Sequence, residues 1–232
     1  MNKKILSKLL GLIILNFIFA PMAFASNMKN FICSDSAFTE VIPVDYVYFV
    51  RNIRELNWIS YRVSEYHDNF QGCTIEIVNN IDAQDEDFMP IGTYYTPFQG
   101  TINGNGHWIK NLKLNFPQYY GIGFVGYLGY YGVVANINIA SSCDFIAYGT
   151  LGGVVGWNSG RVYHCSSSAR LFAICDIVGG LVGHNDFYGT VENCEVGALS
   201  ERRSGYGRNV GTFIGENYGK KRKCKTFLIY PW

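Results

Sequence analysis

Past Gly121, apolar residues arrive in short clusters bounded by glycine, and no helical spacing survives for more than a few residues. Four of these clusters align: Gly123-Phe124-Val125-Gly126, Gly153-Val154-Val155-Gly156, Gly180-Leu181-Val182-Gly183 and Thr212-Phe213-Ile214-Gly215. Clusters this short and rich in Val, Ile and Tyr predict strands. A helical pattern occurs earlier, over Arg51–Val63, where Ile53, Leu56, Ile59 and Val63 recur among polar residues. Strand patterns follow at Cys73–Val78 and over Thr101–Ile109, the latter broken by a tight Asn105-Gly106 turn.

The alignment extends beyond the clusters. Their last glycine recurs at Gly126, Gly156, Gly183 and Gly215, at intervals of 30, 27 and 32 residues. Two residues on stand Leu128, Asn158, Asn185 and Asn217, then a second glycine, then a strand-like run ending at Ile137, Cys165, Cys194 and Cys224. The longer repeats carry an aromatic pair, Tyr130-Tyr131 and Phe187-Tyr188. One such unit cannot bury its apolar face alone, but stacked units bury a continuous core. The chain is therefore expected to be all-β: a parallel β-helix of roughly 30-residue coils, equivalent residues ~4.8 Å apart. Glycines serve its corners, asparagines stack as a hydrogen-bonded ladder, and the Arg51–Val63 helix caps its N-terminal end.

Composition narrows the class. The 232 residues are 48% hydrophobic and only 16% charged, which excludes a disordered polyelectrolyte. A formal charge of +1 gives no reason to expect nucleic acid as a partner. Lys3, Lys4 and Lys8, the apolar run Leu9–Ala20 and Ala23-Phe24-Ala25 form a secretory leader. Cleavage before Ser26 removes residues 1–25, with three lysines and no acid, and takes the charge to −2. No later apolar stretch is long enough to span a membrane, so the destination is extracellular, cell surface or periplasm. The expected layout is then a lead-in with the capping helix over 26–100 and repeats over 101–232.

All seven cysteines lie beyond the leader. Export permits disulfides, but an odd number cannot all pair, and spacing does not give the partners. Cys165, Cys194 and Cys224 share one column and read as a buried thiol ladder, with a bridge between neighbours as the alternative. Cys33 with Cys73, or Cys143 with Cys175, are better bridge candidates. No spacing of Cys and His suits a structural zinc, and no cofactor is expected.

The order helix, strand, Pro90-Ile91-Gly92, Pro97-Phe98-Gln99-Gly100-Thr101-Ile102-Asn103-Gly104-Asn105-Gly106-His107, then Gly180-Leu181-Val182-Gly183-His184-Asn185 with Asn193-Cys194, resembles the bacterial GLUG-motif proteins. The resemblance covers about Val47 to Cys224. It implies an exported repeat scaffold, associated with adhesion or with stalks of larger surface proteins, and names no catalytic residue. Leu128 and Lys223 depart from the usual Asn, as terminal repeats do.

Two further readings concern chemistry. Asn103-Gly104-Asn105-Gly106-His107 also resembles a turn of pectin-degrading β-helix enzymes, so a polysaccharide lyase or hydrolase is an alternative. Asp144 and Asp176, in similar contexts, would be its carboxylates if they stacked. His107, His164 and His184 fall at different repeat positions and suggest no triad. Asp82, Asp85, Glu86 and Asp87 lack the spacing of a calcium loop and read as a solvated turn. Lys220–Lys225 either attracts acidic surfaces or discourages end-to-end strand addition. The leading expectation is non-enzymatic binding to glycans or host and cell-surface proteins. It would use exposed aromatics at Tyr127, Tyr130, Tyr131, Trp157, Phe187 and Tyr188. A purely structural module is the third reading.

Overall fold

The computed structural model describes residues 38–84, 86–116, 119–174, 177–197 and 209–227, and the backbone of 202–204. The expected leader, Cys33, Asp85, Cys175 and Asp176 lie outside the described residues. The chain is an all-β parallel solenoid of about six turns with one short helix near the N-terminus.

One circuit shows how the sequence makes a coil. Val133–Ala135, Asn138–Ile139, Asp144–Ala147, Leu151–Gly152 and Val155–Asn158 are successive short strands, and Arg161–Tyr163 then starts the next coil above the first. Each strand belongs to a different sheet, and its hydrogen bonds run to the coils above and below. The sheet containing Val133–Ala135 runs Val47–Val50, Thr74–Ile77, Thr101–Asn103, Val133–Ala135, Arg161–Tyr163, Thr190–Glu192, Lys220–Arg222. Its neighbouring strands pair in parallel. Ile75, Ile102, Val134, Val162 and Val191 form one inward file and are all fully buried. At about 25 cal/mol per Å² of apolar surface removed from water, such files are the main source of stability.

The four repeat glycines do stand in a single file. Val125, Val155, Val182 and Ile214 pair coil to coil, as do Tyr127, Trp157, His184 and Glu216, which brackets Gly126, Gly156, Gly183 and Gly215. Close approach explains the residue type. A Cβ on Gly156 would come within 2.8 Å of Gly126 O, and one on Gly183 within 2.7 Å of Gly156 O.

A second file has left-handed backbone. Asn136, His164, Asn193 and Lys223 have φ of 54°, 52°, 52° and 50° and immediately precede Ile137, Cys165, Cys194 and Cys224. Asn tolerates this region better than most residues, which gives the recurrent Asn-Cys a physical cause. The Asn105-Gly106 turn is of the same kind, with φ of 51° and 79°. It joins strands of two different sheets, Thr101–Asn103 and Trp108–Lys110, and so makes a corner.

The helix α1 spans Ile53–Glu65, two residues later than its hydrophobic pattern suggests. Asn52 sets the start, because its side chain accepts hydrogen bonds from Arg54 N at 3.0 Å and Glu55 N at 3.1 Å. Ile53, Leu56, Ile59 and Val63 are buried as expected, and the other face is engaged too. Ser60 Oγ donates to Met89 O at 2.7 Å and Asn57 Nδ2 donates to Asp87 O at 3.0 Å. The preceding strand Val47–Val50 was not legible in the sequence pattern; it supplies the first rung beside Thr74–Ile77.

The cysteine expectations divide. Cys165 and Cys194 are buried free thiols in one file with half-buried Cys224, as the ladder reading has it. The suggested bridges through Cys73 and Cys143 are not made, since both are free thiols. Cys143 is fully buried and its Sγ donates instead to Ile109 O at 3.4 Å.

Candidate functional site

The position after each repeat glycine builds an aromatic column. Trp157 stacks on His184 with ring centroids 3.8 Å apart and on Tyr127 at 6.3 Å, both at 19° between planes. Parallel pairing imposes this: side chains at one register position repeat at the coil spacing, close to ring-stacking distance. Trp157 therefore presents its faces to its neighbours and its edge to solvent. Burial pushes the Tyr127 hydroxyl up to about 12. The column ends on a polar contact, with His184 Nδ1 and Glu216 Oε2 3.2 Å apart and Asn209 Nδ2 donating to Glu216 Oε1 at 3.0 Å.

The exposed aromatics lie at the next corner. After Leu128, Asn158, Asn185 and Asn217 the chain reaches a second glycine file, Gly132, Gly160, Gly189 and Gly219. Two of these corners hold one residue, Ser159 and Tyr218, and two hold three, ending in Tyr130-Tyr131 and Phe187-Tyr188. The longer corners belong to coils separated by the short Ser159 corner. Tyr130 reaches across it to meet Tyr188 edge-on at 5.3 Å, and packs at 87° against Tyr131. These four rings are 60–77% exposed. Their backbones are nonetheless fixed. Asp186 Oδ1 accepts from Tyr188 N at 2.8 Å and Gly189 N at 3.1 Å, and Gln99 Oε1 accepts from Tyr131 N at 3.0 Å. Ser159 Oγ also donates to Asp186 Oδ2, tying the short corner to the long one.

The structure adds three rings that sequence reasoning missed. Tyr218 lies 5.3 Å from Phe187 and 5.4 Å from His184, linking the column to the corner. Its place between Asn217 and Gly219 could have been read from the repeat register. Tyr94 meets Tyr127 edge-on at 5.9 Å and Tyr95 at 5.4 Å. That pair sits in a loop outside the repeats, where no periodicity announces it.

Asp144 has a different setting. Strand register places Lys113 below it and Arg170 above, and Arg170 Nη2 lies 3.0 Å from Asp144 Oδ2. The coil above Asp144 thus offers a guanidinium at that position. Among the described residues, no three His, Cys, Asp or Glu side chains are grouped to hold a metal. Asp82 Oδ1 accepts from Gln84 N at 3.1 Å and Asn111 Nδ2 at 2.7 Å, and Glu86 pairs with Arg54 at 3.4 Å. Among the described residues, no helix is long and apolar enough to cross a membrane.

Comparison with known proteins agrees with this geometry. An 88-residue segment, 38% of the chain, is 36% identical to halomucin of Haloquadratum walsbyi and spans about 1% of that protein's length. Among solved structures, a Bacteroides ovatus protein described as a "putative immunoglobulin A1 protease" superimposes with a TM-score of 0.53. The match covers 82% of this chain and 78% of that one at 18% identity, a likeness of fold alone. The family "The GLUG motif" matches residues 177–198. These residues include Gly180-Leu181-Val182-Gly183 and the Asn193-Cys194 corner, so the third of the four aligned repeats matches a GLUG motif.

Proposed function

We propose that this protein is an exported, non-enzymatic binding protein acting outside the cytoplasm, at the cell surface or in the surrounding medium. Its solenoid is a scaffold, and its binding element is the aromatic corner of Tyr130, Tyr131, Phe187 and Tyr188, with the edges of Tyr127 and Trp157 beside it. The observation that carries this reading is the exposure of those corner rings on hydrogen-bonded turns. Covering them releases water, and little entropy is lost in doing so, because the backbone is already ordered. Adhesion to glycans or to host or cell-surface proteins is the activity such a surface serves. The leader and the GLUG motif at 177–198 support the same reading.

The test compares wild type with Tyr130→Ala/Tyr131→Ala/Phe187→Ala on a glycan array and in pull-downs from cell-surface extracts. Wild type is expected to retain specific ligands, and the triple variant to lose them with its thermal midpoint unchanged. A wild type that captures nothing overturns the proposal, as does a triple variant that captures as well as wild type.

A further inference from the structure

The corner that carries Tyr130 and Tyr131 continues onto the earlier coils, and there its chemistry changes. Phe98 pairs with Leu128, and its ring lies 6.0 Å from that of Phe70; all three are buried. Beside them lies a cleft of about 390 Å³, lined by His67, Asn69, Tyr95, Thr96, Pro97 and Gln99. That volume falls within the range of about 300–1,000 Å³ usual for small-molecule sites. The backbone orients the two carboxamides. Asn69 Oδ1 accepts from Gln71 N at 3.0 Å, and Gln99 Oε1 accepts from Tyr131 N at 3.0 Å. With each oxygen engaged, the amide nitrogen is the end left to donate, and among the described residues neither nitrogen has a hydrogen-bond partner. Gln99 N also donates to Asn69 O at 2.8 Å, which sets the two amides on adjacent coils. His67 Nδ1 and Thr96 Oγ1, 3.1 Å apart, complete the polar lining. Tyr95, 76% exposed and held edge-on against Tyr94 at 5.4 Å, supplies an apolar face.

These groups narrow the ligand by their chemistry. No Asp, Glu, Lys or Arg is among the lining residues, so the cleft lacks the counter-charge that repays desolvating an ion. An extended peptide needs unpaired backbone to pair with. Here Phe98 N donates to Tyr127 O at 2.9 Å, Gln99 N to Asn69 O, and Gly129 N to Phe98 O at 2.8 Å. A sugar ring uses every group: its C–H face covers Tyr95, and its hydroxyl oxygens accept from the two amide nitrogens. Because Gln99 also holds Tyr131 N, a glycan seated in the cleft continues onto the exposed rings of Tyr131 and Tyr130. Building on the binding reading above, we propose that this cleft is a subsite for a neutral hexopyranose of a glycan. Asn69 and Gln99 are its hydrogen-bond donors, and Tyr95 is its stacking platform.

The experiment uses the purified full chain and saturation-transfer NMR with the methyl pyranosides of glucose, galactose, mannose and N-acetylglucosamine. At least one is expected to bind, with saturation strongest at the C–H protons of one ring face. Methyl glucuronide, which is anionic, should bind more weakly than the best neutral sugar. Asn69→Asp/Gln99→Glu keeps the oxygens that anchor Gln71 N and Tyr131 N and removes both donors. It should weaken binding at least about tenfold at an unchanged thermal midpoint. Tyr95→Ala, at an exposed ring, should weaken binding by about three- to tenfold. Tighter binding of the glucuronide overturns the proposal, as does either variant binding like wild type. So does the absence of binding by any pyranoside. If that absence accompanies partners that are captured by wild type and lost by Tyr130→Ala/Tyr131→Ala/Phe187→Ala, the sugar subsite falls while the aromatic corner stands as a binding surface.

Discussion

Asn158 donates from Nδ2 to Asn185 Oδ1 at 2.7 Å across two coils, and both side chains are fully buried. The chain of bonds continues, since Asn185 Nδ2 donates to Asn217 Oδ1 at 2.7 Å and to Gly189 O at 3.2 Å. Asn158 Oδ1 in turn accepts from Gly160 N at 3.1 Å, closing the short corner. Replacing the middle member leaves buried polar groups without partners. Asn185→Ala should therefore cost about 2–3 kcal/mol, read as a fall in the urea midpoint followed by circular dichroism. Leu128 already occupies this file one coil earlier. Asn158→Leu/Asn185→Leu should accordingly cost less than the two single changes added together.

Two kinds of glycine are separable by experiment. Gly106 has φ of 79°, and a Cβ added there would meet nothing within 4 Å, so Gly106→Ala should cost only about 1–2 kcal/mol of backbone strain. Gly179 has no such backbone constraint, yet a Cβ there would overlap Val182 O and come within 2.6 Å of Gly215 N. Because those atoms belong to neighbouring strands, Gly179→Ala should lower the thermal midpoint well beyond the effect of Gly106→Ala.

The left-handed file yields a stabilising change. Lys223 and His164 hold φ of 50° and 52° where Asn136 and Asn193 have 54° and 52°. Lys223→Asn should raise stability by a few tenths to about 1 kcal/mol, as a rise in thermal midpoint.

The thiols give a pH signature. Burial raises Cys143 to about 11, and the hydrogen bond that the Cys194 thiol makes to Cys165 raises Cys194 to about 12. An ordinary thiol ionises near 9, so between about 9 and 11–12 the unfolded chain has lost protons the folded chain still holds. These groups stabilise the fold below that window, and stability should decline as pH rises through it. Urea midpoints at about pH 8, 9.5 and 10.5 check the sign. Cys143→Ala should flatten part of the decline.

Column and corner aromatics should respond differently. Trp157→Ala removes a ring stacked on both sides and should cost about 2–4 kcal/mol. Tyr131→Ala, at a ring 63% exposed, should change stability by less than about 0.5 kcal/mol. Thermal midpoints of the two variants separate the scaffold's rings from those offered to a ligand.

Much of this architecture was legible because parallel coils turn sequence period into spatial file. Gly126, Gly156, Gly183 and Gly215 mark the stack, and their spacing alone sets Tyr127, Trp157 and His184 over one another. What the period could not show was ring orientation, which is set by the stacking of Trp157 on His184. Nor could it place features without a repeat. The Val47–Val50 strand lies ahead of the repeating glycines, and Tyr94 and Tyr95 lie in a loop. The register of Asp144 on Arg170 depends on strand boundaries that similar local sequences did not fix.

The alternation of one-residue and three-residue corners between the glycine files has an evolutionary consequence. Gly132, Gly160, Gly189 and Gly219 hand the chain to the next rung regardless of what precedes them, so loop length there is decoupled from the ladder beneath. Such a corner can diversify its sequence without renegotiating the interior. It is accordingly the place where a lineage could change what it recognises, and where an engineer could graft a foreign loop.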